Sequence, residues 1–252
     1  MPHYISKVAI TAAALIAMAS PALADTSKLP PGSPCGGGPG QGSGNPCNGN
    51  NGNPGPQGNV WRDMNPAPIS IAMPAVSGRA AFIDQIGTAN EASVGQSASD
   101  AYARIRQQGE RNSFSISQSG SASSYFDGAQ TGNANTMHAS QGGNGSNVLS
   151  AVQWGDANAI SVRQSSTAAA GLHNGAQLAQ NGSRNSLDLS QDGNGNVALL
   201  TQNGNDNQMS LVQLGDGNQL TWTQQGNGLS NLSITQDGSG PQSTMSITQT
   251  RN

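Results

Sequence analysis

The sequence predicts an all-β fold, namely a β-solenoid of about seven stacked strand-turn-strand rungs that becomes cross-β on assembly. Three observations predict it. A seven-residue phrase of the form Asn-x-φ-x-φ-x-Gln, with φ an apolar residue, recurs fifteen times between Arg79 and Gln249, and its first position is Asn in ten repeats and Ser in three. Insertions fall between the phrases and not inside them. Twelve of the thirteen prolines lie at or before Pro74 and none falls in a phrase, as paired strands require, because proline lacks the N–H that a ladder needs.

The glutamine that ends each phrase sets the period of the repeat. Nine of the fourteen spacings between successive glutamines are 11 residues, and the longer spacings place their extra residues in the turn. A slip of one residue within a strand would turn its whole apolar set outward, whereas a turn tolerates insertions. Glycine follows most of these glutamines by two residues, a position that suits a backbone with φ > 0. The fifteen glutamines are Gln85, Gln96, Gln107, Gln118, Gln130, Gln141, Gln153, Gln164, Gln180, Gln191, Gln202, Gln213, Gln224, Gln236 and Gln249.

The phrase places its Asn, its two apolar residues and its Gln at alternate positions. Side chains of a strand alternate between two faces, so these four residues point to one side and the intervening residues to the other. We therefore expect four interior columns in which stacked amides hydrogen-bond along the axis around a dry apolar interior. Buried amides are costly unless paired, and in-register stacking pairs them. The expected interior ladder residues are Asn90, Gln96, Asn112, Gln118, Asn135, Gln141, Asn158, Gln164, Asn185, Gln191, Asn196, Gln202, Asn207, Gln213, Asn218 and Gln224.

One strand and one turn make only half a rung, because the chain must return before it stacks on itself. Two strands and two turns form a rung, so fifteen strands give about seven and a half rungs. At ~4.8 Å per rung, the solenoid would be roughly 35 Å long. No polar capping repeat is recognisable, and the last phrase ends at Gln249. We therefore expect unpaired strand edges at both ends, which would pair with another copy of the chain.

The residues before the first phrase divide into two segments. Residues 1–24 combine Lys7, an apolar run and the small-residue motif Ala22-Leu23-Ala24, which together predict a secretory signal peptide. Residues 25–78 are rich in Gly, Pro and Asn and are expected to form a disordered leader, because they cannot bury enough apolar surface to order themselves. Residues 79–252 then form the repeat solenoid. A mature chain beginning near residue 25 is expected to be soluble or extracellular.

The two cysteines, Cys35 and Cys47, both lie in the predicted leader. An oxidising compartment would permit a disulfide between them, and two free thiols are the alternative. Two cysteines without a nearby histidine make a poor metal site.

The composition argues against several classes of function. Only 9% of the residues are charged and the net charge is −3, which leaves no basic patch for nucleic acid. The three histidines, His3, His138 and His173, belong to no visible set of nucleophile, base and acid, and His138 and His173 are expected to be solvent-exposed. We therefore predict a protein that is not an enzyme and has no cofactor and no metal site.

The turns between the phrases resemble those of a known family. The stretches that begin at Gln153, Gln180 and Gln213 follow the pattern Gln-x-Gly-x-x-Asn-x5-Gln, which is similar to the curlin repeat. Eight stretches match it fully, and the resemblance extends over about residues 79 to 249. It implies a curlin-type β-solenoid that is a structural subunit of curli, the functional amyloid fibres of bacterial biofilm matrix. It also implies three partners: further copies of the chain in a homopolymer, a curli nucleator subunit, and an outer-membrane secretion channel.

Two other functions remain open from the sequence. The chain could be the minor nucleator subunit that seeds such fibres, since the sequence does not separate the major subunit from the nucleator. In a different class, it could be a soluble monomeric β-solenoid that binds a surface or a carbohydrate. Self-assembly into fibres of extracellular fimbrial type, with roles in surface adhesion, is the interpretation that the repeat favours.

Overall fold

The computed structural model describes residues 59–63, 67–167, 171–239 and 243–251. Every regular element in these ranges is a β-strand, so the all-β prediction is confirmed. None of the described residues belongs to a helix long and apolar enough to cross a membrane. The predicted signal peptide, Cys35 and Cys47 lie outside the described residues.

Sixteen strands are present in the described ranges, and the last fifteen correspond to the fifteen phrases. They are β1 (Asn59–Asp63), β2 (Arg79–Ile86), β3 (Glu91–Gln96), β4 (Ala101–Gln108), β5 (Ser113–Gln118), β6 (Ser124–Thr131), β7 (Thr136–Gly143), β8 (Ser146–Trp154), β9 (Ala159–Ser166), β10 (His173–Asn181), β11 (Ser186–Asp192), β12 (Val197–Asn203), β13 (Gln208–Asp216), β14 (Gln219–Gln225), β15 (Leu232–Ser239) and β16 (Thr244–Thr250).

The fifteen repeat strands alternate between two parallel sheets. The even sheet contains β2 to β16 in steps of two, and the odd sheet contains β3 to β15 in the same way. Every parallel pair aligns the closing glutamines of the two phrases; Gln180, for example, lies opposite Gln153 on one side and Gln202 on the other. Consecutive strands therefore face each other across the interior, and one strand from each sheet makes a rung. The predicted β-solenoid of about seven rungs is confirmed.

The apolar columns of the phrases form one continuous core between the two sheets. Its largest fully buried side chain is that of Trp222. Of the thirty φ positions in the fifteen phrases, only position 128 lacks an apolar side chain. The rings of Phe114 and Phe126 fill the space beside Gly128. The two rings meet edge to face with centroids 5.3 Å apart. A larger residue at position 128 would collide with both rings, so the glycine and the two phenylalanines form one packing unit.

The turns stack as closely as the strands do. Gly182 has φ +118°, and a Cβ added there would collide with the carbonyl oxygen of Gly204 in the next rung. This position therefore needs glycine both for its backbone conformation and for the close approach of the neighbouring turn. Two residues further on, Arg184 has φ 57°, and equivalent turn residues in other rungs share this left-handed conformation. Each turn from the even to the odd sheet thus repeats one backbone path.

A segment before the first phrase crosses the outer face of the even sheet. We call residues 67–78 the strap. Ile71 is only 8% exposed and packs with Val148 and Val197, and the neighbouring Ile69 and Met73 join the same apolar cluster. The strap therefore covers part of a sheet face that the strand alternation alone would leave to solvent.

Hydrogen bonds hold the strap to several rungs of the solenoid. The Ile69 N–H donates to Gln219 Oε1 on β14 at 2.8 Å. Nε2 of His173 on β10 lies 2.6 Å from the Ile71 carbonyl oxygen and donates to it. Gly78 N–H donates to Asp100 Oδ1 at 2.6 Å, close to the start of β4. The strap thus runs from the C-terminal rungs back toward the N-terminal ones.

β1 corrects two expectations from the sequence. It pairs antiparallel with β16, with Val60 opposite Gln249, so the edge of β16 is covered and not free. Together with the strap, it also shows that residues 59–63 and 67–78 of the predicted leader are folded against the solenoid. The physical reason is that the exposed edge of β16 offers unpaired N–H and C=O groups, and a proline-free stretch of chain can pair with them.

Candidate functional site: the interior amide ladders and the ends of the solenoid

Stacked glutamines form one ladder in each sheet. In the even sheet, Gln153 Nε2 donates to Gln180 Oε1 at 2.9 Å, and Gln180 Nε2 donates to Gln202 Oε1 at 2.8 Å. The same bond joins Gln164 to Gln191 in the odd sheet at 2.8 Å. Bonds of 2.6 to 3.0 Å continue each ladder from its first glutamine to its last. Every step donates in one direction, from the N-terminal toward the C-terminal rungs.

The second hydrogen of each amide joins the two sheets. Gln180 Nε2 also donates to the Ala159 carbonyl oxygen at 3.0 Å, and Gln164 Nε2 donates to that of Val148 at 3.0 Å. Each of these acceptors lies on the strand that precedes the glutamine, in the opposite sheet. A buried amide with both hydrogens and its oxygen engaged has no unsatisfied polar atom, which removes the main cost of placing glutamine in a core.

Stacked asparagines form a second pair of ladders at the turns. The Asn185 N–H and Nδ2 both donate to Asn158 Oδ1, at 3.0 and 3.1 Å, and Asn185 Nδ2 also donates to the Gly204 carbonyl oxygen at 2.8 Å. In the even sheet, the Asn218 N–H donates to Asn196 Oδ1 at 3.1 Å in the same way. The bonds to Oδ1 point toward the N-terminal rungs, opposite to those of the glutamines.

The structure places the sequence-predicted ladder residues in these interior columns. Asn90 and Gln96 belong to the first rung and are partly exposed, because the part of the chain that the structure describes places no rung below them. The other fourteen are buried, with at most 1% of their surface exposed: Asn112, Gln118, Asn135, Gln141, Asn158, Gln164, Asn185, Gln191, Asn196, Gln202, Asn207, Gln213, Asn218 and Gln224.

Sequence reasoning missed a third ladder on the outside of the turns. Asp156 Oδ1 accepts from the Asn133 N–H at 2.7 Å, and Asn205 Oδ1 accepts from the Ser183 N–H at 2.7 Å. The sequence contains a signal for this ladder, because the third residue after each closing glutamine is always polar. These side chains fix the spacing of successive turns by bonds to the backbone, which identical glycines alone do not provide.

The two predicted bystander histidines differ from each other. His138 is exposed, in line with its outward position. The expectation for His173 was wrong, because it is the first residue of β10 and its ring binds the strap through the Ile71 carbonyl oxygen. The predicted disordered leader includes the strap, so the sequence alone offers this ring no partner.

Charged side chains of adjacent rungs pair with opposite charges on the outer surface. Arg184 binds Asp206 at 2.7 Å, and this hydrogen bond holds the pKa of the exposed Asp206 carboxyl below its ordinary value. Asp127 accepts from both Arg104 and Arg106, at 2.7 and 3.2 Å. The bond to Asp127 also raises the pKa of Arg104. These pairs lie between rungs, so they support the stacking that the interior amides specify.

The N-terminal end of the solenoid is open. Ile83 occupies an inward position of its phrase yet is 47% exposed, because no strand of the described residues lies beyond β2. Gln85 and Gln96 donate into their ladders, and their Oε1 atoms accept no hydrogen bond from the described residues. This end therefore presents two strand edges, exposed apolar side chains and two amide acceptors.

The C-terminal end is closed on one side only. Among the described strands, β15 is the last of the odd sheet and has an open edge, whereas β1 covers β16 in the even sheet. Gln249 is fully buried, and its Oε1 accepts from Gln224 and Trp222 at 2.8 and 2.9 Å. Its Nε2 has no hydrogen-bond partner. The two ends are thus complementary, with amide acceptors at one and an unpaired amide donor at the other.

The described ranges contain no group of three or more His, Cys, Asp or Glu side chains that could hold a metal ion. The polar groups that the fold concentrates are neutral amides, which donate and accept hydrogen bonds but do not titrate. Their arrangement binds strands to one another, and it leaves amide acceptors at the N-terminal end and an amide donor at the C-terminal end.

Comparison with known proteins finds one family. The model of the curlin associated repeat matches residues 80–109 and 182–215. The first match begins in β2 and the second contains β11 and β12, so both fall within the solenoid. No curated protein and no solved structure gives a significant match. The chain thus resembles the curlin family at two places, and both matched stretches belong to one continuous β-solenoid.

Proposed function

We propose that this chain is a structural subunit of extracellular curli-like amyloid fibres in a biofilm matrix, where it contributes to surface adhesion. It polymerises by end-to-end stacking of rungs, each copy serving as the template for the next. One observation carries the proposal: the in-register glutamine ladders end in unfilled acceptors at the N-terminal end and in an unfilled donor at Gln249. A second copy supplies the missing partners through the same rungs that fold the monomer.

The strands support the same proposal. In cross-β fibres, parallel strands stack so that identical side chains lie in register. This chain forms the same arrangement within one molecule. Ile83 and its neighbours on β2 expose apolar surface that a further rung would bury. Growth of the fibre would therefore continue the contacts that already fold the monomer.

The proposed route to the cell surface follows from the family. Curlin repeats occur in extracellular curli subunits, so we propose secretion through the periplasm by way of the signal peptide in residues 1–24. An outer-membrane secretion channel and a nucleator subunit are the proposed partners, besides further copies of the chain. We propose no enzymatic activity.

The test uses the mature chain, residues 25–252, released from denaturant. Thioflavin T fluorescence should rise after a lag, preformed fibres should shorten that lag, and fibre diffraction should show a ~4.7 Å meridional reflection. A chain that remains monomeric for days and gives no such reflection would refute the fibre function. That result would favour the remaining class, a monomeric solenoid that binds a surface or carbohydrate.

The minor nucleator remains the second candidate within the same fibre system. A nucleator would assemble with little lag on its own and would remove the lag of a partner subunit at substoichiometric amounts. A major subunit would show a long lag that a nucleator shortens. Kinetics of the mature chain with and without such a partner therefore separate the two roles.

A further inference from the structure

We propose that the C-terminal end of the solenoid binds a second copy of this chain that is turned by half a turn about the solenoid axis. In this arrangement β2 of the second copy pairs with β15, and its β3 replaces β1 on β16. The inference rests on the proposed fibre function and adds to it the geometry of the joint and the step that opens it.

The number of strands in each sheet requires the half turn. The even sheet has eight repeat strands, β2 to β16, and the odd sheet has seven, β3 to β15, so the C-terminal end is a step one strand high. A second copy in the same orientation would place its β2 on β16 and its β3 two strand spacings above β15. At ~4.8 Å per spacing, the odd sheet would then contain a gap one strand wide.

A half turn fills the step. Consecutive strands run in opposite directions across the interior, and a rotation of 180° about the axis exchanges the two directions together with the two sheets. The second copy then continues the coil, with its β2 on β15 and its β3 on β16. Both sheets carry the same phrase, so the glutamine of each new strand lies over the glutamine below it.

The amides at the joint agree with this register. Gln249 Nε2 is buried without a partner. In the monomer, β1 covers β16 and has Val60 opposite Gln249, and valine has no side-chain amide that could continue the glutamine ladder. With β3 of the second copy in that place, Gln96 Oε1 is the acceptor. In the odd sheet, Gln236 Nε2 donates to the Gln219 and Ser243 carbonyl oxygens at 3.3 and 3.4 Å in the monomer, and in the joint it would exchange the bond to Ser243 for one to Gln85 Oε1 of the second copy. Exchange of β1 for β3 therefore satisfies an amide that the monomer leaves unpaired.

β1 is accordingly an exchangeable cover and not part of the finished fibre. It pairs antiparallel in an otherwise parallel sheet, over five residues. In a single copy, β1 thus prevents another strand from pairing with β16. The first contact between two copies therefore forms at the open edge of β15. The incoming β3 then displaces β1.

Paired cysteines on outward positions test the orientation. Ser93 on β3 and Ser246 on β16 lie at opposite ends of the solenoid and both face outward. In the half-turn joint they are directly opposed in neighbouring copies. In the same-orientation joint Ser246 opposes Phe82 of the second copy. The two mature-chain variants are therefore Ser93→Cys with Ser246→Cys, and Phe82→Cys with Ser246→Cys, both with Cys35→Ser and Cys47→Ser.

Fibres of each variant are oxidised mildly and analysed by non-reducing electrophoresis. We expect a ladder of disulfide-linked oligomers from the Ser93 and Ser246 pair, and only monomer from the Phe82 and Ser246 pair. The reverse pattern, or monomer from both, overturns the half-turn joint while the fibre function stands. If no fibres form at all, the fibre function and this inference fall together.

Helical reconstruction of parent fibres gives an independent measurement. The half-turn joint advances each copy by seven and a half strand spacings, about 36 Å at ~4.8 Å per strand, and turns it by 180° in addition to the sheet twist. Density for an added antiparallel strand should be missing at the joint. Copies related without the half turn, or a joint in which β1 remains on β16, would overturn the proposal.

Discussion

Replacing Gln180 by glutamate tests whether the interior amides hold the fold and the fibre together. The two side chains have the same shape, so packing is preserved and only the hydrogen-bonding character changes. Gln180 is fully buried, donates to Gln202 Oε1 at 2.8 Å and to the Ala159 carbonyl oxygen at 3.0 Å, and accepts from Gln153 Nε2 at 2.9 Å. A carboxylate keeps the last of these bonds and loses the two donated ones.

The size of the effect follows from those contacts. Two buried acceptors lose their donors, at about 1–3 kcal/mol each. The buried negative charge adds several kcal/mol because no cation lies in the interior column. A total of about 5 kcal/mol or more is comparable to the whole stability of a typical domain, ~5–15 kcal/mol. We therefore expect Gln180→Glu to block fibre formation at pH 7.

The pH dependence of this variant has a definite sign. Burial disfavours the charged form, so the pKa of the new carboxyl should be higher in the folded state than in the unfolded chain. Its neutral form is therefore favoured by folding; the folded state is most stable below the unfolded pKa and loses stability as the pH rises through the folded pKa. A neutral carboxyl also regains one donated bond, so acid should restore part of the assembly.

The matched control lies on the same strand. Gln177 of β10 faces outward and is partly exposed, opposite Ser150 and Leu199 in the neighbouring strands. Gln177→Glu makes the same chemical change on the solvent side and should assemble like the parent. The assay is the thioflavin T lag and the guanidinium midpoint of mature fibres at pH 7 and pH 4. Equal delays for the two variants, or no recovery of Gln180→Glu in acid, would refute the interior amide ladder.

Three further changes have definite expectations. Gly182→Ala should lower the denaturation midpoint of the fibre, because its Cβ collides with the next turn and its φ of +118° strains any other residue, whereas Gly95→Ala, with no atom nearer than 3.9 Å, should not. Arg184→Ala should match the parent midpoint at a pH below the lowered pKa of Asp206 and fall slightly short of it at pH 7, since that exposed pair stabilises only while Asp206 is ionised. Ile71→Asp should speed hydrogen exchange in residues 67–78 and leave the rungs protected; an unchanged rate would mean that the apolar cluster does not hold the strap.

The interior of the solenoid was predictable because a period of two residues and a fixed closing glutamine specify both the strand face and the register. The columns of Gln180 and Asn185 needed no knowledge of distant contacts, since each rung repeats the local pattern of the last. The packing of Gly128 against Phe114 and Phe126 was not predictable in this way, because it compensates between strands.

The strap and β1 could not be predicted, for a different reason. Neither repeats, and each bonds to strands far along the sequence: Ile69 to Gln219, and Val60 opposite Gln249. Single apolar residues such as Ile71, spread through a Gly- and Pro-rich stretch, give no periodic signal. Their order depends on the finished sheet face, which exists only once the rungs have stacked.

The direction of growth is also set by the rungs. A free glutamine amide could turn over and donate either way, but the second hydrogen of Gln180 Nε2 is needed by the Ala159 carbonyl oxygen on the preceding strand. The backbone therefore fixes which end of each glutamine amide faces the next rung, and both glutamine ladders donate toward the C-terminal end. If two C-terminal ends met, amide donors would face donors, and if two N-terminal ends met, amide acceptors would face acceptors. Only head-to-tail contact pairs Gln249 Nε2 with an acceptor of the next copy, so the coil that folds one chain would also give the proposed fibre its polarity.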